Sequence, residues 1–273
     1  MIEKCLPSKW GYKTLVMGVI NMTPDSFSGD GLDYAAEKAL VLARRFLNEG
    51  ADIIDIGGES TRPGAAGISA TEEIRRVVPV LEKLSREIDI PLSIDTCKAE
   101  VASRAIEAGA SLINDISGLK KDPAIAEVAA KYGAGLVITS NQRERPFNGD
   151  IIAEVTRDLR ERITLALRAG VSLENIIIDP GIGFGKSLEQ NLEILRRLNE
   201  LKALDRPILI GTSRKSFIGQ VLNLPVTERL EGTLASIALA IAGGADIVRV
   251  HDVKEAVRVC RISDAVVRGR YDG

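Results

Sequence analysis

The chain is expected to fold as a single α/β domain over residues 1–273, a (β/α)8 TIM barrel with its active site at the C-terminal ends of the strands. Three observations predict this. Short Val/Ile/Leu runs alternate with helical patterns from end to end, and no break in composition divides the chain. Eight of the runs end on polar or charged residues: Asn21, Glu59, Asp95, Asn114, Thr139, Asp179, Gly211–Lys215 and Arg249–His251. In a parallel barrel the ends of all strands lie together, so residues far apart in sequence converge on one mouth. A doubly wound open sheet is the alternative architecture.

The expected strands are Leu15–Ile20, Asp52–Ile56, Pro91–Ile94, Ser111–Ile113, Gly135–Ile138, Ile176–Ile178, Ile208–Ile210 and Ile247–Val250. Each is short, apolar and β-branched, as strands buried on both faces are. Helical spacing covers Tyr34–Asn48, where Ala36, Leu40, Ala43 and Leu47 share a face, and Ile74–Ile88, preceded by a Ser69/Glu72 capping box. Further helices are expected at Lys98–Ala108, Pro123–Lys131, Ile151–Leu167, Leu188–Leu201, Glu228–Ala242 and Lys254–Ser263. Gly-Ala pairs at residues 50, 109, 133 and 244 fall where helix gives way to strand, with glycine suited to a left-handed C-cap.

Composition excludes several classes. A hydrophobic content of 45% can build one large core. A net charge of −2 argues against a nucleic-acid partner, because a phosphate backbone needs a strong cationic surplus. Cys5, Cys97 and Cys260 are odd in number and widely spaced, which suggests neither a disulfide framework nor a zinc knuckle and fits a reducing cytoplasm. The first residues, with Lys4, Pro7 and Lys9 ahead of any apolar run, do not read as a signal peptide, and no apolar stretch reaches membrane-spanning length.

The loops carry the chemistry. Residues 21–28 are rich in hydroxyls and amides, able to ligate an oxyanion or its metal ion, although a solvated turn capped by Asp25 or Ser26 has the same composition. Residues 57–64 join flexible glycines to Thr61 and Arg62, apt for a phosphate. Asp95 and Asn114-Asp115 can each cap a following helix. With Asp179 added, Asp95 and Asn114 become acceptors and amides at strand ends 3, 4 and 6, a set suited to the amino-pyrimidinone edge of a flat heterocycle. The stretch 179–187 imitates a phosphate-binding P-loop, yet its leading glycine falls at Pro180. Its glycines are better read as letting backbone hug a ligand, with Phe184 as a wall. Arg214 and Lys215 stand where a helix begins, a place the helix dipole makes unfavourable for cations unless an anion compensates. Arg249 and His251, the only histidine, alternate onto one side of the last strand and suit an anion clamp.

The stretches 17–28, 55–64, 179–186, 213–216 and 249–253 closely resemble the dihydropteroate synthase family of pterin-binding TIM barrels, and the resemblance runs from Leu15 to His251. It implies a transferase of folate biosynthesis that joins 6-hydroxymethyl-7,8-dihydropterin diphosphate to p-aminobenzoate, with Mg2+ as cofactor and a homodimer as the assembly. By motif position, Asp95, Asn114, Asp179 and Lys215 would hold the pterin, with Phe184 and Gly211 shaping its pocket. Asp95, Asp179 and Lys215 would be the catalytic groups. Asn21, Thr61, Arg62, Arg249 and His251 would bind diphosphate, Asn21 also ligating the metal. Thr61, Pro63, Phe184, Lys215 and Ser216 would form the p-aminobenzoate pocket.

One departure stands out. After the fifth strand the family usually shows a Met-His pair, where this chain has Thr139-Ser140. A pterin-barrel methyltransferase acting on methyltetrahydrofolate and a corrinoid protein would explain Asp95, Asn114 and Asp179 but not the anion-binding residues. A non-catalytic pterin-binding relative would explain Thr139 and Ser140 but not the retained diphosphate side. A same-fold enzyme for a modified arylamine or pterin is the third alternative.

Overall fold

The apolar runs form eight strands, each parallel to its neighbours: β1 (Leu15–Asn21), β2 (Ile53–Gly57), β3 (Leu92–Asp95), β4 (Leu112–Asp115), β5 (Gly135–Thr139), β6 (Ile176–Asp179), β7 (Leu209–Ile210) and β8 (Ile247–Val250). The computed structural model describes residues 10–22, 32–60 and 67–270. The strand order is β6-β5-β4-β3-β2-β1-β8-β7, and a single bridge between Ile178 and Ile208 joins β6 to β7 and closes the ring. Among the described residues the helices are α1 (Leu32–Glu49), α2 (Ala70–Glu87), α3 (Ala99–Glu107), α4 (Ala124–Tyr132), α5 (Ile151–Arg168), α6 (Leu188–Arg196), α7 (Ser216–Leu222), α8 (Leu230–Ala242) and α9 (Val253–Arg268).

Alternation along the strands divides the apolar residues into two layers. Leu15, Met17, Ile53, Leu112, Val137, Ile177, Leu209 and Ile247 pack together inside the barrel, with Trp10 against them. Val16, Ile54, Ile94, Ile113, Ile138, Ile178, Ile210 and Val248 join the larger core shared with the helices. At Gly18 a Cβ would press on Phe46 of α1 and on Val253, so the outward face of β1 there has room only for glycine.

Six strands run one or two residues past their expected ends, so Asn21, Gly57, Asp95, Asn114-Asp115, Thr139 and Asp179 all lie within strands. The reason is that the parallel ladder continues through them, pairing Asn21 with Gly57, Gly57 with Asp95, Asp95 with Asn114, and Thr139 with Asp179. Two helix expectations are corrected. Helix α2 begins at Ala70; Ser69 accepts from the Glu72 amide, but the Glu72 carboxylate turns to Arg75 and Arg76 instead of completing a capping box. The 188–201 helix stops at Arg196 and gives way to a 3-10 segment, Leu198–Leu204. A helix does begin after Lys215, as expected; it is short, ends at Leu222 and is capped by Asn223 in the left-handed conformation. The Gly-Ala pairs behave as expected, with positive φ at Gly50, Gly109, Gly133 and Gly244.

Candidate active site

Two residues beyond the apolar interior layer, the inward positions of the strands form the next ring toward the C-terminal mouth. That ring is Val19, Asp55, Asp95, Asn114, Thr139, Asp179, Gly211 and Arg249. A polar ring over an apolar floor is what the strand-end pattern implied. Its side chains are aimed by the ladder, not by loops.

Its interactions cross the barrel. Arg249 donates from Nε to Asp55 Oδ2 and from Nη2 to Asp95 Oδ2, each at 2.6 Å. Asn114 donates from Nδ2 to the same Asp55 oxygen at 3.1 Å. Asp179 accepts from the amide of Gly181 at 2.7 Å. Lys215, reaching in from the β7 loop, donates to the Ile182 carbonyl and lies 4.7 Å from the centre of the Phe184 ring. Arg143 meets that ring at the same 4.7 Å, so Phe184 carries two cation–π contacts. Gly211 leaves space beside this group: a Cβ there would lie 3.8 Å from both Lys215 Nζ and Arg249 Cβ.

Burial shapes the charges. It pushes the Asp95 carboxyl up to about 7, although Arg249 pulls it down, and it raises Asp179 against the pull of Lys215. Burial also draws the Lys215 ammonium down to about 8 while Asp179 holds it up. Arg249 stays fully cationic, because Asp55 and Asp95 more than offset its desolvation. Such shifts cluster at sites that bind or react.

The structure brings Asp95, Asn114, Asp179, Phe184, Gly211, Lys215 and Arg249 together. Asp95 caps no helix; α3 starts at Ala99, and its N-cap Lys98 makes no side-chain capping bond. Asp115 instead supports its own turn, accepting from the amides of Ser117 and Leu119. Asn21 stands at the rim, its Oδ1 about 3.5 Å from where a Gly57 Cβ would be. His251 lies beyond β8 and bonds Ser213 Oγ through Nδ1 at 2.9 Å, while Arg249 turns to the carboxylates, so the two do not share a partner. Arg214 finds its counter-charge in Asp252, which leaves Lys215 as the inward cation of the pair. Ser216 is exposed at the first position of α7. Thr61, Arg62, Pro63 and residues 23–28 lie outside the described residues.

Thr139 is fully buried beside Asp179, and its hydroxyl has no hydrogen-bond partner. Ser140 turns away from the ring and donates to Asp158 of α5 at 2.8 Å. Two residues were not anticipated. Asp55 sits inside the run Ile53-Ile54-Asp55-Ile56, where a charge among isoleucines was itself the available signal. Lys186, part of the P-loop look-alike, is half-buried; it donates to the carbonyls of Ser140 at 2.8 Å and Gly181 at 3.0 Å and to Gln142 Oε1, tying the β5 and β6 loops together. A lysine so engaged is a strut under Phe184 rather than a phosphate ligand.

The arrangement fits a hard cation only in a shared way. Among the described residues no group of three or more His, Cys, Asp or Glu side chains is placed to hold a metal ion. The Asn21 amide oxygen suits Mg2+, which commonly takes one or two protein oxygens and completes its shell with phosphate oxygens and water.

Comparison with known proteins agrees with this geometry. The model of the pterin binding enzyme family matches residues 17–251. Dihydropteroate synthase of Bacillus subtilis is 50% identical over 263 residues, covering 96% of this chain and 92% of its own. A crystal structure of dihydropteroate synthase from Clostridium difficile, obtained in the presence of pteroic acid, superposes with a TM-score of 0.92 at 49% identity and covers 95% of this chain and 99% of its own. The enzyme from Xanthomonas albilineans with 4-aminobenzoic acid gives 0.88 at 42% identity, covering 93% of each chain. By sequence and by fold, the chain belongs to the pterin-binding enzymes, among the dihydropteroate synthases.

Proposed function

We propose that this chain condenses 6-hydroxymethyl-7,8-dihydropterin diphosphate with p-aminobenzoate, releasing diphosphate and forming 7,8-dihydropteroate. The observation that carries the reading is the convergence of Asp95, Asn114 and Asp179 in one buried ring with Lys215 and Arg249 at its mouth, in a chain half identical to a dihydropteroate synthase. Such a ring offers acceptors to the amino-pyrimidinone edge of the pterin. Lys215 and Phe184 are assigned to both the pterin and the p-aminobenzoate pocket, and by motif position Thr61, Pro63 and Ser216 to the latter.

The reaction needs a stabilised leaving group and a tolerated cation. Arg249, His251 and Asn21 are assigned to the diphosphate side, and by motif position so are Thr61 and Arg62. Asn21 would hold Mg2+ on this side, and the ion would supply neutralisation of the charge on the leaving diphosphate. To the Asp179 carboxylate we assign the stabilisation of cationic character spread over the dihydropterin as the methylene carbon loses diphosphate. The arylamine nitrogen then attacks that carbon, so no side-chain nucleophile is required. The methyltransferase alternative has no use for the anion-binding residues, and a non-catalytic role has no use for the retained diphosphate side.

The assembly we infer is a homodimer, supported by an exposed apolar stripe of Leu239 on α8 and Ile262 and Val266 on α9. A cytoplasmic setting is supported by free Cys97 and Cys260, the latter buried with its thiol pushed up to about 12 by burial. No helix among the described residues is long and apolar enough to cross a membrane. Diphosphate release in a coupled assay, with p-aminobenzoate and with alternative arylamines, tests the function. Release that depends on p-aminobenzoate and Mg2+ is expected, and preference for another arylamine would reassign the substrate.

A further inference from the structure

Asp55 lies in the polar ring, yet it is wholly buried, and no substrate role falls to it from sequence position. Its Oδ2 is nevertheless the one atom that both Asn114 Nδ2, at 3.1 Å, and Arg249 Nε, at 2.6 Å, donate to. An ionised carboxylate only accepts hydrogen bonds, so an amide facing it must turn its NH2 inward and its oxygen away. The Asn114 oxygen is accordingly buried and has no partner among the described residues. The same carboxylate, together with Asp95, commits the Nε–Nη2 edge of Arg249, so an incoming anion meets the guanidinium from its Nη1 side.

We propose that Asp55 is a positioning residue that sets the polarity of the Asn114 amide and the orientation of Arg249, joining the pterin side of the site to the diphosphate side through one buried oxygen. With its amide so turned, Asn114 continues the row of acceptors from Asp95 to Asp179, and a ligand edge rich in N–H donors is selected. The proposal rests on the pterin reading above and adds the group that makes it directional.

Calorimetry with free 6-hydroxymethylpterin on wild type, Asp55→Asn, Asn114→Ala and the double variant tests it. Each single variant is expected to lose about 10-fold in affinity, the equivalent of one hydrogen bond to a charged or buried group. The double variant is expected to lose no more than about 2-fold beyond Asn114→Ala, because Asp55 acts through Asn114. Asp55→Asn is also expected to weaken binding of the pterin diphosphate further than that of free pterin, while the KM for p-aminobenzoate stays within about 2-fold; a purely structural role would lower the melting temperature and leave these preferences unchanged. Multiplying losses in the double variant, or normal pterin affinity in folded Asp55→Asn, would overturn the assignment.

The wild-type enzyme supplies an independent readout should Asp55→Asn not fold. In 15N-labelled protein the Asn114 side-chain amide, identified by its absence in Asn114→Ala, is expected to show slow proton exchange at the hydrogen bonded to Asp55; fast exchange of both hydrogens overturns the proposal. That measurement uses no ligand, so it stands even where wild type fails to bind pterin, an outcome that would count against the proposed function instead.

Discussion

At Arg249 two demands meet on one guanidinium: the diphosphate role expected from its motif, and the compensation of Asp55 and Asp95 seen in the structure. Removing one partner from a buried ion pair strands the other charges. Arg249→Ala is therefore expected to weaken binding of the pterin diphosphate more than that of free pterin, and also to destabilise the protein by on the order of 3 kcal/mol in urea unfolding. Equal losses for the two ligands would remove it from the diphosphate side. Lys215→Ala is expected to lower kcat/KM about 10- to 100-fold, the loss of a charge-assisted contact to substrate, as checked by steady-state kinetics. Asp95 links the site to pH. Burial lifts its carboxyl to about 7, so its contribution to stability is fully present below the unfolded value of about 4 and is lost as pH rises through 7. Asp95→Asn removes that titration and is expected to gain stability relative to wild type between pH 5 and pH 8. Melting temperatures at both pH values check this; an unchanged difference would show that Asp95 does not titrate there. Asp95, Asn114 and Asp179 were legible because each closes an apolar run, whereas Asp55 was not singled out because it lies inside one.

At the level of elements, the β5 and β6 loops act as a unit. The backbone N–H of Gln142 donates to the Phe184 carbonyl, Lys186 reaches Ser140 and Gln142, and Gly181 and Gly185 both hold φ near +72° against the opposite backbone. A Cβ at Gly185 would overlap the backbone at Gln142 and Arg143. Gly185→Ala is expected to cost about 2 kcal/mol or more and, by moving Phe184, which serves both pockets, to raise the KM for p-aminobenzoate and to weaken binding of free pterin. Urea unfolding and kinetics with each substrate varied provide the check, and a normal KM would detach this loop from the arylamine pocket. The sequence showed the glycines as a place where backbone approaches something closely. What they approach is the neighbouring loop as well as the Phe184 wall, because the close partner lies some forty residues away.

For the whole molecule, ring closure is uneven. Strand β7 is two residues long, and one bridge joins it to β6, while the other seams carry continuous ladders. The mouth is therefore stiffest from β1 to β6, where Asp55, Asp95, Asn114 and Asp179 stand, and Lys215 enters across the weakest seam. The exposed stripe on α8 and α9 is the surface on which the inferred dimer depends. Ile262→Glu, at a position 64% exposed, is expected to shift the protein to monomer in sedimentation while leaving the monomer's melting temperature nearly unchanged. An unaltered sedimentation coefficient would place the interface elsewhere.

Read without its structure, the chain determined the barrel, the order of its elements and the set of strand-end residues, because period-two and helical patterns are local and a parallel barrel gathers every strand end at one mouth. The resemblance in its loops determined the chemistry. Only tertiary structure decided which charges face each other: that Arg249 clasps Asp55 and Asp95 while His251 turns to Ser213, that Arg214 is spent on Asp252, and that Lys186 is a strut. Those outcomes depend on contacts between residues up to 194 positions apart, and a buried charge settles on whichever partner the packed ring brings within reach.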